Sequence, residues 1–400
     1  MVDLQTAKPI TLPCGLTFPN RLAKAAIAEG WGDKEKLPHK DLIDTYNLWA
    51  DGGWGMLMTG NVQVDVTHMG TPDDNAVNDQ VDRERHISSW KRWAAVAGRN
   101  GTPIIMQICH PGRQSSIGAG SRSLLAKTIA PSAVPVKLGD GIIAKAASAI
   151  AFGRPREISI SEIELLVHRF AKGAQMAHEA GFAGVQIHAA HGYLLAQFLS
   201  LQTNKRSDIY GGTAKNRAKI VVDVICAIRR VVPKTFCVGI KLNSVNHQNE
   251  GELKDCLEQL EDIINIGIDF LEISGGTYEN PVMLAATTSS PDRKVSATTA
   301  VREAFFLDFA KTVRRTFPNV PLMVTGGFRS RLGMEQALQG ACDIIGLARP
   351  AVIDPLLPKE IIFNSAIPDA DARLITKSFA QPWLAKQLGM KGLSGGTETV

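Results

Sequence analysis

Eight short apolar runs recur along the chain and predict buried β-strands. They span residues 22–28, 55–59, 103–109, 184–188, 236–242, 268–274, 320–325 and 343–347. Each run is too short for a typical helix and lacks a strict alternation of apolar and polar positions. This pattern is typical of strands that are covered on both faces.

The segments between these runs carry apolar residues at spacings of three and four, which predict amphipathic helices. One helix is predicted to start with a capping box at Ser161 and to end at Gly181, and similar periods run through 253–264 and 306–317. Eight alternations of strand and helix predict an α/β fold, a (β/α)8 TIM barrel with right-handed crossovers. The alternative, a doubly wound open sheet, is disfavoured because no Gly-x-Gly-x-x-Gly follows a strand near the start.

One connection is much longer than the others. Residues 110–160 separate the third predicted strand from the next helix and are rich in Gly, Ser, Pro and Ala. A loop of this length is usually functional, so we expect a cap or lid. Within it, residues 139–152 are compatible with a small hairpin or a mobile loop. We interpret residues 1–400 as one barrel domain, in which 356–400 form a C-terminal extension.

Composition narrows the class of protein. The chain has 400 residues, of which 44% are hydrophobic and 21% charged, as in globular enzymes. The net charge of +5 is dispersed and no nucleic-acid motif is present, so no nucleic-acid partner is expected. No run of about 18 apolar residues and no signal-peptide pattern occurs. We therefore expect no membrane span and a cytoplasmic location.

The cysteines predict neither a metal site nor a disulfide framework. None of them forms a Cys-x-x-Cys pair, and closely grouped thiolates are what zinc and iron–sulfur clusters require. We expect reduced, structural cysteines in a reducing compartment. They are Cys14, Cys109, Cys226, Cys237, Cys256 and Cys342.

The segment 184–212 concentrates polar chemistry at the end of the fourth predicted strand. Its apolar run is followed within six residues by His188, His191 and Tyr193. If the strand belongs to a parallel barrel, these side chains lie at the catalytic mouth. The alternative is that the histidines are satisfied core residues and the tyrosine packs.

This segment resembles the signature of the Old Yellow Enzyme family, the FMN-dependent NAD(P)H:flavin oxidoreductases. The matching residues are His188, His191, Gly192, Tyr193, Leu194, Leu195, Gln197, Phe198, Asn204, Arg206, Asp208, Tyr210, Gly211 and Gly212. The resemblance covers about residues 9–355. It implies FMN as the cofactor, NADPH or NADH as the reductant, and reduction of the activated C=C bond of an α,β-unsaturated carbonyl compound.

The resemblance also implies roles for individual residues. His188 and His191 are expected to hydrogen-bond the substrate carbonyl, and Tyr193 to protonate the α-carbon. A phenol with a pKa of about 10 is protonated at neutral pH and can act as an acid. His188 is also expected beside FMN. Trp31 and Tyr278 follow the first and sixth predicted strands, and this position makes them candidate substrate contacts. The alternatives are a packing tryptophan and a plain loop residue.

Phosphate binding is predicted after the last two strands, where glycines let backbone N–H groups approach an anion. Both segments resemble the family's phosphate-binding pattern. Their residues are Gly326, Gly327, Phe328, Arg329, Gly346, Leu347, Ala348 and Arg349. Gln107, whose amide both donates and accepts, suits the pyrimidine edge of the flavin, unless it is an interior amide bonded to the backbone. Gly60 is expected against the ring.

Four positions depart from the family pattern, and two of them, Ala26 and Ile27, stand where proline and methionine are usual. Lys241 stands where arginine is common, and keeps the charge without the planar fork. Ala28 stands where Thr or Cys usually hydrogen-bonds near flavin O4, so we expect a flavin that is harder to reduce than in relatives with that donor. Backbone after the first strand is still expected to line the ring, from Ala25, Ala26, Ile27 and Ala28.

Other functions remain open at this point. The same flavin barrel can host an isomerase, a demethylase or an NAD(P)H oxidase. A flavin-free aldolase could use Lys241 as a Schiff-base lysine, and a non-enzymatic binding protein would lack flavin altogether. We expect a small-molecule substrate, and a homo-oligomer is possible. The physiological alkene and the choice between NADH and NADPH stay open.

Overall fold

The computed structural model describes residues 3–139, 141–244, 250–275 and 297–375. Eight parallel strands close into a barrel, because each pairs with the next along the chain and the last pairs with the first. They are β1 (Leu22–Lys24), β2 (Met56–Gln63), β3 (Ile104–Cys109), β4 (Gly184–Ala189), β5 (Cys237–Asn243), β6 (Phe270–Ser274), β7 (Leu322–Thr325) and β8 (Ile344–Leu347). The predicted TIM barrel is confirmed, and the doubly wound open sheet is wrong.

Helices surround the barrel. They are α1 (Lys40–Ala50), α2 (Arg83–Ala97), α3 (Ile142–Ala151), α4 (Ile160–Glu179), α5 (Leu194–Leu199), α6 (Ala214–Val231), α7 (Glu250–Asn265), α8 (Ala297–Thr316), α9 (Arg331–Leu338) and α10 (Arg349–Ile353). Within the described ranges, no helix is both long enough and apolar enough to cross a bilayer.

Strand boundaries differ most from the predicted runs at β1 and β2. β1 ends at Lys24, whereas the predicted run continues to residue 28. β2 continues to Gln63, and its register with β3 shifts between Met58 and Asn61. A register irregularity of this kind bends a strand and changes the direction of its side chains. The polar residues at the end of β2 therefore belong to the barrel wall.

The start of α4 differs from the predicted start. Its N-cap is Ser159, whose hydroxyl accepts the N–H of Glu162 at 3.2 Å, while the Glu162 carboxylate accepts the N–H of Ser159 at 2.9 Å. The predicted start at Ser161 is wrong because Ser159 also stands three residues before a glutamate. Gly181 lies two residues beyond the helix with a φ of +87°, so the predicted helix end is confirmed.

The barrel interior is apolar at its amino-terminal end. Met56, Ile105 and Phe270 are among the side chains that fill it. A two-stranded hairpin, Ile10–Thr11 with Thr17–Phe18, packs Leu12 and Phe18 into the same cluster. Because this end is closed by side chains, polar chemistry is left to the carboxyl ends of the strands.

The long connection after β3 contains a short parallel strand pair and the helix α3. A short parallel pair, Ile129–Ala130 with Arg156–Glu157, closes its base. The hairpin or mobile loop predicted for 139–152 is wrong, since α3 occupies most of this stretch and buries Ala144 and Ser148. These two residues are one helical turn apart, and the alanine-rich sequence around them has a high helix propensity.

The described part of the C-terminal extension packs on α9. The Arg331 guanidinium donates to the carbonyl oxygens of Ile361 at 2.7 Å and Ile362 at 2.8 Å. Arg331 also forms an ion pair with Asp369 at 2.9 Å. Residues 356–375 are therefore tied to the barrel exterior beside β8.

Candidate functional site

The end of β4 brings His188, His191 and Tyr193 together. The His188 Nε2 and His191 Nδ1 atoms lie 3.1 Å apart, and the His188 and Tyr193 rings stack with centroids 4.6 Å apart. This proximity depends on a sharp bend, because His191 (φ +57°) and Gly192 (φ +74°) both have left-handed backbone. A non-glycine residue in this conformation is uncommon, and strained residues of this kind cluster at active sites.

Hydrogen bonds determine which histidine nitrogens carry protons. The backbone N–H of Ala190 donates to His188 Nδ1 at 3.2 Å, so the hydrogen of the neutral ring is on Nε2 and points to His191 Nδ1. His191 then carries its hydrogen on Nε2, which lies 3.1 Å from the Ser274 hydroxyl at the end of β6. The two rings thus form a directed chain of donors that ends at Ser274.

Both imidazoles are neutral at neutral pH. Burial is the main cause that holds the pKa of His188 and of His191 well below the usual range, and the Lys241 cation is the second. A neutral imidazole still donates one hydrogen bond, and it places no net positive charge at the mouth.

Asn61 is a site residue that the sequence interpretation missed. It lies near the end of β2, and its side-chain amide donates to the Tyr193 hydroxyl oxygen at 3.1 Å. A donor at the phenol oxygen stabilises the deprotonated form more than the protonated form, which favours proton release. The signal in the sequence was an amide side chain directly after Gly60, at the end of an apolar run.

Gln107 belongs to a buried polar chain across the inner wall of the barrel. Its amide nitrogen donates to Gln186 Oε1 at 2.7 Å, and the Gln186 amide donates to Glu272 Oε2 at 2.6 Å. Glu272 Oε1 is paired with Lys241 Nζ at 2.9 Å. The partner of the Gln107 amide nitrogen is therefore a side chain on the neighbouring strand. Gln186 and Glu272 were not predicted as site residues.

The ion pair weakens the aldolase alternative. A Schiff-base lysine attacks as a free amine, whereas the Lys241 ammonium is 3% exposed and pairs with a carboxylate that is fully buried.

Glycines after β7 and β8 form two adjacent turns. Gly326 and Gly327 follow β7 with φ values of +122° and +88°, and successive left-handed residues of this kind turn backbone N–H groups toward one side. Gly346 lies beside Thr325 in the ladder, and a Cβ at position 346 would lie only 2.0 Å from Thr325 Oγ1. That hydroxyl is buried and has no hydrogen-bond partner among the described residues. These features fit a phosphate cradle.

The remaining predicted segments line the same end of the barrel. Ala25 is buried and donates its N–H to the Leu347 carbonyl at 2.9 Å, whereas residues 26–28 become progressively exposed as they leave β1. Trp31 is partly buried against the core. Tyr278 lies outside the described residues.

Gly60 is held by a carboxylate that the sequence interpretation also missed. Its N–H donates to Glu29 Oε2 at 3.1 Å, and the other Glu29 oxygen accepts from Lys24 and Tyr46, each at 2.6 Å. A Cβ at position 60 would lie 2.3 Å from the Ile27 carbonyl oxygen. The Glu29 carboxylate therefore connects the middle of β2 to the segment that follows β1. The close approach of Gly60 to the Ile27 carbonyl leaves no room for a Cβ.

A family model, described as the NADH:flavin oxidoreductase / NADH oxidase family, matches residues 7–366. The chain belongs to this family. The NADH-dependent flavin oxidoreductase iliE of Hypocrea jecorina (strain QM6a) is 48% identical over 395 residues, which cover 98% of each chain. The protein of the same name from Neonectria sp. (strain DH2) is 51% identical over 98% of this chain, but this chain spans about half, 52%, of its length.

Two solved structures share the fold of this chain. An old yellow enzyme homologue from Zymomonas mobilis matches with a TM-score of 0.71 at 20% identity, covering 99% of this chain and all of that one. A 2-naphthoyl-CoA reductase complex matches with a TM-score of 0.75 at 23% identity, covering 92% of this chain and 53% of that one. The predicted resemblance to the Old Yellow Enzyme family is confirmed, and with it FMN as the cofactor of this oxidoreductase family.

Proposed function

We propose that this chain reduces the activated C=C bond of an α,β-unsaturated carbonyl compound, with NADH or NADPH as the reductant. The observation that carries the proposal is the grouping of His188, His191 and Tyr193 at the mouth of the barrel. When bound at this mouth, FMN would supply the hydride-transfer chemistry.

The two histidines are proposed to bind the carbonyl oxygen. In the absence of substrate, His188 Nε2 faces His191 Nδ1 and His191 Nε2 faces Ser274. Substrate binding would exchange these internal hydrogen bonds for bonds to the carbonyl oxygen. Donors aimed at an oxygen that becomes negative stabilise the enolate-like transition state.

Tyr193 is the proposed proton donor to the α-carbon. Its ring stacks on His188 at 4.6 Å, so the phenol lies beside the donors that hold the carbonyl. Asn61 steadies the phenol oxygen and favours proton release by its hydrogen bond of 3.1 Å. The alkene would thus receive the proton from protein and the hydride from the cofactor.

FMN is proposed to bind between the glycine turns and the polar wall. The proposed phosphate ligands are the backbone and side chains of Gly326, Gly327, Phe328, Arg329, Gly346, Leu347, Ala348 and Arg349. Gln107, His188 and Lys241, with Gly60 and the backbone of residues 25–28, are proposed to line the ring. Trp31 and Tyr278 are the proposed further substrate contacts.

NADH is the reductant that we favour. The relatives from Hypocrea jecorina and Neonectria, at 48% and 51% identity, are both named NADH-dependent. The isomerase, demethylase and NAD(P)H oxidase alternatives keep the same cofactor and differ in the acceptor.

The test is the visible spectrum of the purified protein during an anaerobic cycle. A flavin band should bleach on addition of NADH and return on addition of cyclohexenone, with cyclohexanone as the product. A band that returns only with oxygen would overturn alkene reduction in favour of an oxidase. Absence of flavin after reconstitution with FMN would overturn the whole proposal.

A further inference from the structure

The buried carboxylate of Glu272 distinguishes this barrel wall from a row of amides. Glu272 is fully buried on β6, opposite Lys241 in the parallel ladder, and Lys241 lies opposite His188 on the next strand. Its two oxygens contact Gln186 at 2.6 Å and Lys241 at 2.9 Å. The Lys241 cation at the mouth of the barrel is therefore paired with a carboxylate.

A carboxylate is not needed to complete the hydrogen bonds of this wall. A glutamine at position 272 could accept from the Gln186 amide in the same way, because an amide oxygen has two lone pairs. Burying a carboxylate is unfavourable unless a cation compensates it. What Glu272 adds is thus a negative charge next to Lys241.

The contact with Lys241 is a charge pairing more than a directed bond. Glu272 Oε1 has no hydrogen-bond partner of acceptable geometry among the described residues, although Lys241 Nζ is only 2.9 Å away. The ammonium, which has three N–H donors, is held in place without being directed wholly at the carboxylate.

We propose that Glu272 sets the redox potential of the flavin by neutralising Lys241 and by fixing its position. This inference rests on the proposed function, since it requires FMN at the mouth. Two-electron reduction with uptake of one proton adds one negative charge to FMN, and a nearby cation stabilises that charge. The Lys241–Glu272 pair has no net charge, so it stabilises the reduced form less than a lone lysine would.

Glu272 is in this view a positioning residue that acts through Lys241. Lys241 is close enough to act on the mouth, because it lies opposite His188 in the ladder and is the second cause of the lowered pKa of His188. The pair thereby offers an explanation for the choice of lysine at position 241: its compact ammonium fits beside a carboxylate within the barrel wall.

The test uses the holoprotein and a set of charge variants. Sulfite adds to N5 of oxidised flavin and leaves a negative charge on the ring, so its dissociation constant reports the local charge without turnover. We expect Glu272→Gln to bind sulfite about tenfold more tightly than the wild type. The same factor corresponds to a midpoint potential about 30 mV higher for a two-electron couple.

Matched variants separate charge from packing. Glu272→Asp keeps the charge, so its dissociation constant for sulfite should stay within about twofold of the wild-type value. A tenfold change would correspond to ~1.4 kcal/mol. Lys241→Gln should weaken sulfite binding about tenfold. The double variant K241Q/E272Q replaces one neutral pair by another, so it should return to within about twofold. The double variant also serves if a single variant fails to hold flavin.

Two results would overturn the inference while leaving alkene reduction intact. One is that Glu272→Gln has the same midpoint potential and sulfite affinity as the wild type, while the wild type completes the cycle with NADH and cyclohexenone. The other is an equal shift in Glu272→Asp and Glu272→Gln, which would mean that packing and not charge is responsible. A wild type that binds no FMN would instead overturn the proposed function itself.

Discussion

Two histidine pairs lie in the part of the barrel that the structure describes, and they have similar ring separations but different ring orientations, at 71° and 36° between the planes. The His188 and His191 rings are 4.9 Å apart, and the His68 and His110 rings are 5.1 Å apart. The first pair is followed by Tyr193 and ends at a hydroxyl. The second pair surrounds the carboxylate of Asp65. Close imidazoles are thus not a site in themselves, and the neighbouring groups decide what each pair can do.

The second pair, His68 and His110, belongs to a structural network around the Asp65 carboxylate. Thr67 donates its backbone N–H to Asp65 at 2.9 Å, His68 lies 3.3 Å from the same carboxylate, and Arg169 lies 3.5 Å from it. His110 Nδ1 accepts the N–H of Gly112 at 3.0 Å, so its hydrogen is on Nε2, facing Asp65. The possible ligand atoms of Asp65, His68 and His110 lie close enough together to hold a metal ion. The hydrogen on His110 and the arginine favour a structural role.

The largest expected effect is on the rate of alkene reduction and concerns Tyr193, which lies beside His188 and His191. We expect Tyr193→Phe to reduce flavin with NADH at the wild-type rate and to slow alkene reduction by about 10²–10⁴, the usual contribution of a general acid. Stopped-flow measurement of the two half-reactions separates these rates. Equal losses in both half-reactions would contradict Tyr193 as the proton donor.

The second largest effect concerns His110 and the pH dependence of stability. Burial is the main cause that lowers the pKa of His110 to about 4, against 6.5 for an ordinary histidine. The unfolded chain therefore binds this proton first, and stability is lost as pH falls from 6.5 to 4. A shift of this size corresponds to a loss of about 3 kcal/mol in the free energy of unfolding when the pH is below both pKa values.

The variant His110→Gln should remove that part of the pH dependence. Urea unfolding at pH 7 and at pH 4.5 measures it, and the wild type should lose more stability between the two values than the variant does. His188→Gln serves as a comparison, since burial lowers the pKa of His188 as well. Identical pH profiles for wild type and His110→Gln would argue against a neutral, buried His110.

A smaller effect would separate the two pairs by ligand binding. We expect His191→Ala to weaken the binding of a phenolate ligand by about tenfold or more, because hydrogen bonds to charged groups contribute about 1.5–3 kcal/mol. His68→Ala should leave phenolate affinity unchanged. Titration of the charge-transfer absorbance measures both. Equal weakening in the two variants would remove the distinction between the pairs.

The smallest effect concerns Asn61. We expect Asn61→Ala to slow the alkene half-reaction by about fivefold, as for the loss of one neutral hydrogen bond of about 1 kcal/mol. Reduction of the flavin by NADH should not change. Asn61→Asp provides a second variant, in which a carboxylate beside the phenol oxygen should slow proton release further. A rate unaffected by Asn61→Ala would mean that its hydrogen bond only packs the tyrosine.

The sequence by itself determined the strands and the local part of the site. Apolar runs located all eight barrel strands, because a strand covered on both faces leaves a continuous apolar signal. His188, His191 and Tyr193 lie within six residues, so one bend at the end of one strand brings them together. Local ambiguity remained where two serines precede glutamates at the start of α4, and where α3 was predicted as a hairpin or loop.

Only the tertiary structure decided the partners. Asn61 and Tyr193 are 132 residues apart, and Gln186 and Glu272 are 86 residues apart. Their contacts follow from the register of the closed barrel, which apolar periodicity does not encode. The same holds for the pairing of Lys241 with Glu272. The sequence does not show whether a lysine at a strand end is a lone cation or part of a buried ion pair. The chemistry of the lysine differs between these two cases.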